Sequence, residues 1–173
     1  VLPLIEGGLQ EGGRRAGSED VPAIVGLGKA AELAIERLEA RRAEAVPLRD
    51  RLLAELPRRV ERVVLTGHPT ERLPHHASFC VEFIEGEAML LHLDMKGISV
   101  SSGSACTSKS LKASHVLLAM GLDHALAQGS VVFSLLEGTP AEDIDYVLVV
   151  FPPIIDRLRS MSPLWTKFLQ ERN

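Results

Sequence analysis

The sequence predicts an α/β two-layer sandwich preceded by a long helix. Three observations predict it. Ile24, Leu27, Ala31, Ala34 and Leu38 recur at steps of three or four, the spacing of one face of a helix. Past Leu56 the period changes to two, most clearly in Ala77-Ser78-Phe79-Cys80-Val81-Glu82-Phe83, the alternation of a half-buried strand. Helical and strand-like segments then alternate with little more than turns between them, an order that lays helices against a sheet. At 173 residues the chain suits one domain with an attached segment.

Taken in order, the chain opens Val1-Leu2-Pro3-Leu4-Ile5 without a methionine. This gives the expectation of a piece of something longer, with partners for its chemistry upstream. Residues 6 to 20 hold five glycines among polar groups, a loop whose backbone can approach a ligand closely. Arg14, Arg15 and Ser18 lie just before a helix start, where unpaired N–H groups favour an anion. Pro22 suits the first helical turn, and Glu19 and Asp20 complement the positive end of the dipole. Pro47 is expected to kink or split the long helix, with Leu48, Leu52, Leu53 and Leu56 continuing beyond it.

Val60, Val63, Val64 and Leu65 predict a short strand ended by Gly67, and residues 77–83 a second. Cys80, set among apolar neighbours, reads as a packed core thiol. Residues 85–96 predict a helix closed by Gly97, and residues 98–100 a strand. Ser114 and Gly121 bound a short helix, and residues 129–136 form the next main strand. Thr139-Pro140-Ala141-Glu142 has the form of a capping box with proline at its first position. It opens a last helix, Ala141 to about Ser160, which Pro152-Pro153 should interrupt.

Composition narrows the function. A net charge of −4 and 4 % aromatic residues argue against a nucleic-acid surface. The longest apolar run, Tyr146 to Ile155, is too short to span a bilayer, so a cytoplasmic protein with no membrane partner is expected. Two cysteines, Cys80 and Cys106, make no disulfide framework and fit a reducing compartment. The histidines at 68, 75, 76, 92, 115 and 124 show no zinc-ligand spacing with a cysteine, so no metal site is expected. No Gly-x-Ser-x-Gly elbow occurs. Gly103 to Ser110 falls one glycine short of a phosphate-binding loop, with Ser108 where the tight turn needs glycine.

The chemistry centres on Ser101-Ser102-Gly103-Ser104-Ala105-Cys106-Thr107-Ser108-Lys109-Ser110. Small and polar residues surround the thiol of Cys106, and Lys109, Lys112 and His115 follow it. Partial exposure near positive charge is the setting of a reactive cysteine. A packing role for Cys106 stays open on composition alone.

Two stretches together carry a family resemblance. Gly7-Gly8-Leu9-Gln10-Glu11-Gly12-Gly13-Arg14-Arg15-Ala16-Gly17-Ser18 resembles the Gly-Gly-Gly-Gln-Glu-x-Gly-x-Arg-Ser/Ala-Gly-Thr signature of NifS/IscS-type cysteine desulfurases. Ser101 to Ser108 resembles their catalytic-cysteine loop, and Ser114-His115-Val116-Leu117 continues it. Phe133-Ser134-Leu135, Ile144-Asp145-Tyr146 and Leu158 to Leu164 follow the family's C-terminal pattern in order.

The resemblance implies the C-terminal domain of an aspartate-aminotransferase-like fold that works as a homodimer with pyridoxal 5'-phosphate. Residues 1–20 would be a Gly-rich loop left from the cofactor-binding large domain, and residues 21–173 the small domain carrying the cysteine loop. It implies conversion of L-cysteine to L-alanine, with sulfur passing to Cys106 as a persulfide. An acceptor such as an iron–sulfur scaffold or a tRNA-thiolation protein would then take that sulfur. Cys106 matches the catalytic position, and Ser18 matches a threonine that contacts the cofactor phosphate. The family's pyridoxal lysine, pyridine-nitrogen aspartate and ring-stacking histidine match nothing here, which implies no turnover without the large domain. Leu9 replaces a glycine, and Asp20 stands where asparagine is usual. Val132 replaces the arginine that holds the substrate carboxylate. The alternative is a non-catalytic sulfur-relay or interaction module of the same fold.

Overall fold

The computed structural model describes residues 2–103 and 113–172. They group into two compact units, Val1–Ala40 and Arg41–Asn173.

The first unit holds a short turn, α1 (Gln10–Gly13), and a helix, α2 (Val21–Glu36). Asp20 caps α2, its carboxylate accepting a hydrogen bond from the Ala23 N–H at 3.1 Å. The predicted apolar stripe lies on α2 as far as Ala34, with Leu38 on the next helix, yet its side chains bury nothing among the described residues, with Ile24 58 % and Leu27 72 % exposed. The helix breaks at Arg37 (φ −96°, ψ −1°) and not at Pro47. A second helix, α3 (Leu38–Arg59), runs through both Pro47 and Pro57. Pro47 and Ala43, one turn earlier, are both exposed, so water can take the carbonyl that loses its N–H partner.

The second unit is built on a three-stranded antiparallel sheet ordered β1 (Val63–Leu65), β2 (His76–Val81), β3 (Ser130–Ser134). Phe79 pairs with Leu65 on one side and Val131 on the other, and Ala77 pairs with Phe133. Period two therefore sends Ala77, Phe79, Val81, Val131 and Phe133 to one face. All five are buried there against Leu52 and Leu56 of α3, Met89 and Leu93 of α4 (Gly86–Asp94), and the inner stripe of α7 (Ala141–Ser160). Phe133 meets Phe79 and Phe151 edge-on, at ring separations of 6.3 and 6.0 Å. This is the expected two-layer arrangement.

Pro152-Pro153 do not interrupt α7. Each internal proline costs about 3 kcal/mol, but α7 buries seven apolar side chains, each contributing roughly 1.5–3 kcal/mol. Packing wins. The expected capping box does not form either. Pro140 is the N-cap, and the Thr139 hydroxyl turns back to donate to the Leu136 carbonyl at 2.8 Å. Residues 98–100 form no strand; a single bridge joins Ser101 to Val132.

Three further helices complete the unit: α5 (His115–Ala119), α6 (His124–Gln128) and α8 (Pro163–Arg172). Pattern reading had α5 but neither α6 nor α8. Buried Arg159 fixes the turn into α8. Its guanidinium donates to the carbonyls of Glu61 (2.8 Å) and Glu82 (3.4 Å) and lies 4.4 Å from the centre of the Trp165 ring. No helix among the described residues is long and apolar enough to cross a membrane.

Candidate functional site

The face of the sheet opposite the core mixes hydroxyl groups with apolar side chains. Ser78, Cys80, Ser130 and Val132 point there, since Ser78 pairs with Val132 and Cys80 with Ser130. Ser78 accepts a hydrogen bond from the Thr66 hydroxyl at 2.6 Å, and both residues are buried.

Cys106 and the neighbouring Lys109 and Lys112 lie outside the described residues. The framework at the two ends of that segment is described. Ser101 exchanges two backbone hydrogen bonds with Val132, at 3.1 and 2.7 Å. Next, the Gly103 N–H donates to the Ser130 hydroxyl at 3.1 Å. A Cβ on Gly103 would lie 3.2–3.3 Å from Ser130 Oγ, Leu117 and Ser114, so this backbone needs a glycine for closeness. At the other end, Ala113 packs with Leu117, Ala127 and Cys80 in a small buried cluster. Ser114 is the α5 N-cap without using its hydroxyl.

Sequence reasoning missed Ser130. Its hydroxyl ties the start of the cysteine-bearing segment to β3, and the available signal was a serine opening a strand otherwise rich in valine.

Cys80 is fully buried, and burial pushes its thiol up to about 11, with Asp123 adding to the shift. It is the packed core thiol expected. Val132 sits mid-strand and half-buried, opposite Ser78. Arg72, near the end of β1, donates to the carbonyls of Thr66 (2.5 Å) and His68 (2.8 Å) and so pins a turn.

In the first unit, Glu11, Gly12, Gly13 and Gly17 all have positive φ, at 52°, 64°, 78° and 95°. The loop folds around the Arg15 guanidinium, which donates to the carbonyls of Gly17 (2.6 Å) and Ala16 (3.2 Å). Ser18 is exposed, and its hydroxyl makes no hydrogen bond among the described residues. The N-terminus of α2 already holds the Asp20 carboxylate, so an anion near residues 14–18 would be met by Ser18 and loop amides. Hydroxyl and amide donors beside a tightly turned, glycine-rich backbone fit a phosphate group.

Comparison with known proteins now bears on these residues. The chain is 50 % identical over 167 residues to the cysteine desulfurase IscS of Methanosarcina thermophila, covering 96 % of this chain and 41 % of that one. It is 49 % identical to the cysteine desulfurase NifS of Azotobacter vinelandii, covering 95 % and 41 %. Among solved structures, a NifS-like protein superposes with a TM-score of 0.75 at 33 % identity, covering 91 % of this chain and 40 % of the other. A NifS-like protein from Rickettsia africae gives 0.74 at 29 % identity, covering 89 % and 40 %. The chain thus spans about two fifths of the length of the relatives it matches. Residues 9–147 match the aminotransferase class-V family, and the chain belongs to that family.

Proposed function

We propose that this chain is the C-terminal part of a pyridoxal-phosphate-dependent cysteine desulfurase. The observation that carries the reading is 50 % identity to a cysteine desulfurase across 96 % of the chain, with Cys106 on the segment between Gly103 and Ala113. Residues 1–20 belong with the cofactor-binding domain and residues 21–173 form the small domain. The working protein is a cytoplasmic homodimer.

The cofactor, when bound, makes the carbon–sulfur bond of L-cysteine cleavable by accepting electron density from the substrate. Ser18 would donate its hydroxyl to a phosphate oxygen of the bound cofactor. Cys106 attacks as a thiolate, since only that form is a strong sulfur nucleophile. A sulfur–sulfur bond forms on Cys106 as the carbon–sulfur bond breaks. The bonding pair stays with the carbon fragment, which takes up a proton and leaves as L-alanine. Cys106 then passes the outer sulfur of its persulfide to an acceptor protein such as an iron–sulfur scaffold. Ser101, Gly103 and Ser130 secure one end of its segment.

Val132 favours a second reading. A substrate carboxylate facing valine lacks a charge-assisted pair, as suits a module that relays sulfur without turning over cysteine. One experiment separates the two. The full-length protein carrying this chain is given L-cysteine and pyridoxal phosphate, and alanine and the mass of Cys106 are followed. Desulfurase activity predicts alanine release that Cys106→Ser abolishes, with one added sulfur on Cys106 in the parent. A persulfide accepted from a donor without alanine supports the relay. Alanine release that survives Cys106→Ser refutes both.

A further inference from the structure

One groove of the second unit borders the Cys80 cluster through α6. The loop 82–85, α6 and the turn between α7 and α8 enclose a cavity of about 630 Å³. Its walls are Phe83, Ile84, Leu126 and Leu158, and the outer rim carries Met161 and Leu164, 62 % and 61 % exposed.

Phe83 adopts φ +68°, a left-handed conformation that a bulky aromatic residue avoids and that persists only where surrounding structure enforces it. Here it is held in a ring stack, 5.1 Å from Phe168 and 5.5 Å from Trp165. Backbone strain at the wall of an open apolar groove points to use of that wall.

Charge identifies the occupant. Three carboxylates line the groove, Glu82, Glu85 and Asp123, and no lysine or arginine does. Glu82 is matched by Arg62 at 3.3 Å. Arg62 and Arg159 themselves lie over the Phe168 and Trp165 rings. The Glu85 carboxylate is exposed and has no partner among the described residues. Asp123 uses one oxygen to cap α6, accepting from the Leu126 N–H at 2.8 Å. An apolar floor with two available carboxylates at the rim fits an amphipathic helix. We infer that this groove docks a segment of a partner protein that presents a large aliphatic or aromatic side chain flanked by lysine or arginine.

The test uses the full-length protein carrying this chain and two labelled helical peptides with the same leucine face, one filled out with lysine and one with glutamate. Fluorescence anisotropy is read at low and moderate salt. The lysine peptide is expected to bind, and the glutamate peptide to bind at least about tenfold more weakly. Glu85→Gln combined with Asp123→Ser, which keeps a capping hydroxyl, should weaken the lysine peptide about five- to tenfold. Leu164→Asp should weaken it further, and Leu169→Asp, away from the groove, should not. Circular dichroism checks that each variant is folded, and Leu164→Ala serves if Leu164→Asp is not. Equal binding of the two peptides overturns the inference, as does binding untouched by the Glu85/Asp123 and Leu164 changes. Self-association of the protein that Leu164→Asp abolishes also overturns it, because the groove would then hold a second copy.

Discussion

A short pulse of iodoacetamide on the native full-length protein at pH 8 should label Cys106 well ahead of Cys80. The size of the difference follows from the surroundings of Cys80. Its thiol is pushed up to about 11, so at pH 8 roughly one molecule in a thousand carries the thiolate. An ordinary exposed cysteine, near 8.5, is about one quarter ionised. Ionisation alone thus separates the two by a little over two orders of magnitude. The more basic thiolate is the better nucleophile, and a Brønsted slope of about 0.4–0.5 over that interval returns roughly one order. What remains is about 20-fold in favour of Cys106, before burial is counted. Cys80 is fully buried, and reagent reaches it only when the fold opens, which widens the gap. Raising the pH toward 10 should narrow it, because an ordinary thiol is almost fully ionised there while Cys80 gains about tenfold per pH unit. Peptide mapping by mass spectrometry reads both sites at once. Comparable labelling at pH 8, or a ratio unchanged between pH 8 and 10, would falsify the assignment of these two roles. The same shift gives a stability term with a definite sign. The folded thiol stays protonated to about pH 11, while the unfolded one ionises near 9, so the unfolded chain holds fewer protons between them. Stability is full below pH 9 and falls as pH rises toward 11, by roughly 3 kcal/mol at most.

Three further substitutions test the frame and the site. A Cβ at Gly129 would lie 2.1 Å from the Val81 carbonyl oxygen and 2.9 Å from that of Ile84, both rigid backbone. Gly129→Ala should therefore destabilise by about 3 kcal/mol. Gly97→Ala, strained only by its φ of +75° with open space around it, should cost about 1 kcal/mol. Urea midpoints measure both, and the reverse ranking would refute the packing argument at the start of β3. Val132→Arg in the full-length protein should lower the KM for cysteine about tenfold. Sulfur transfer from Cys106 should stay unchanged, and an unaltered or raised KM in a folded variant would reject the reading of Val132.

Much of this arrangement is legible in the residues. Alternation across residues 77–83 and the valines of β3 locate the sheet because one face must be buried. Glycine at 7, 8, 12, 13 and 17 marks the turned loop before α2. Other features escape local rules because tertiary packing decides them. Pro47, Pro152 and Pro153 read as breakers, yet the helices continue through them, one where solvent takes the orphaned carbonyl and the other where seven buried side chains hold α7 together. The strand expected at residues 98–100 shrinks to one bridge, since Ser101 is the residue that meets Val132. Ser130 shows locally only as a serine opening a valine-rich strand. Its role depends on Gly103, 27 residues away in the chain.

The orientation of Val132 follows from its neighbours. Val131 is completely buried and Phe133 is 4 % exposed, so both are committed to the core. A one-residue slip of β3 would turn these two side chains out and bring Ser130 and Val132 in. The loss would be about 1.5–3 kcal/mol for each apolar side chain exposed, with the Ser130 hydroxyl buried away from Gly103. Register is thus fixed from the core side, and whatever residue stands at 132 faces the side opposite the core, beside Ser78 and Ser101. An arginine there would reach over the face to which Gly103 is tied, its long stem covering Ser78 while its guanidinium stays hydrated. The fold can therefore accept the change without moving β3. A catalytic effect of Val132→Arg would for that reason report on what binds over this face, and a null effect in a folded protein would mean that no substrate carboxylate is held there.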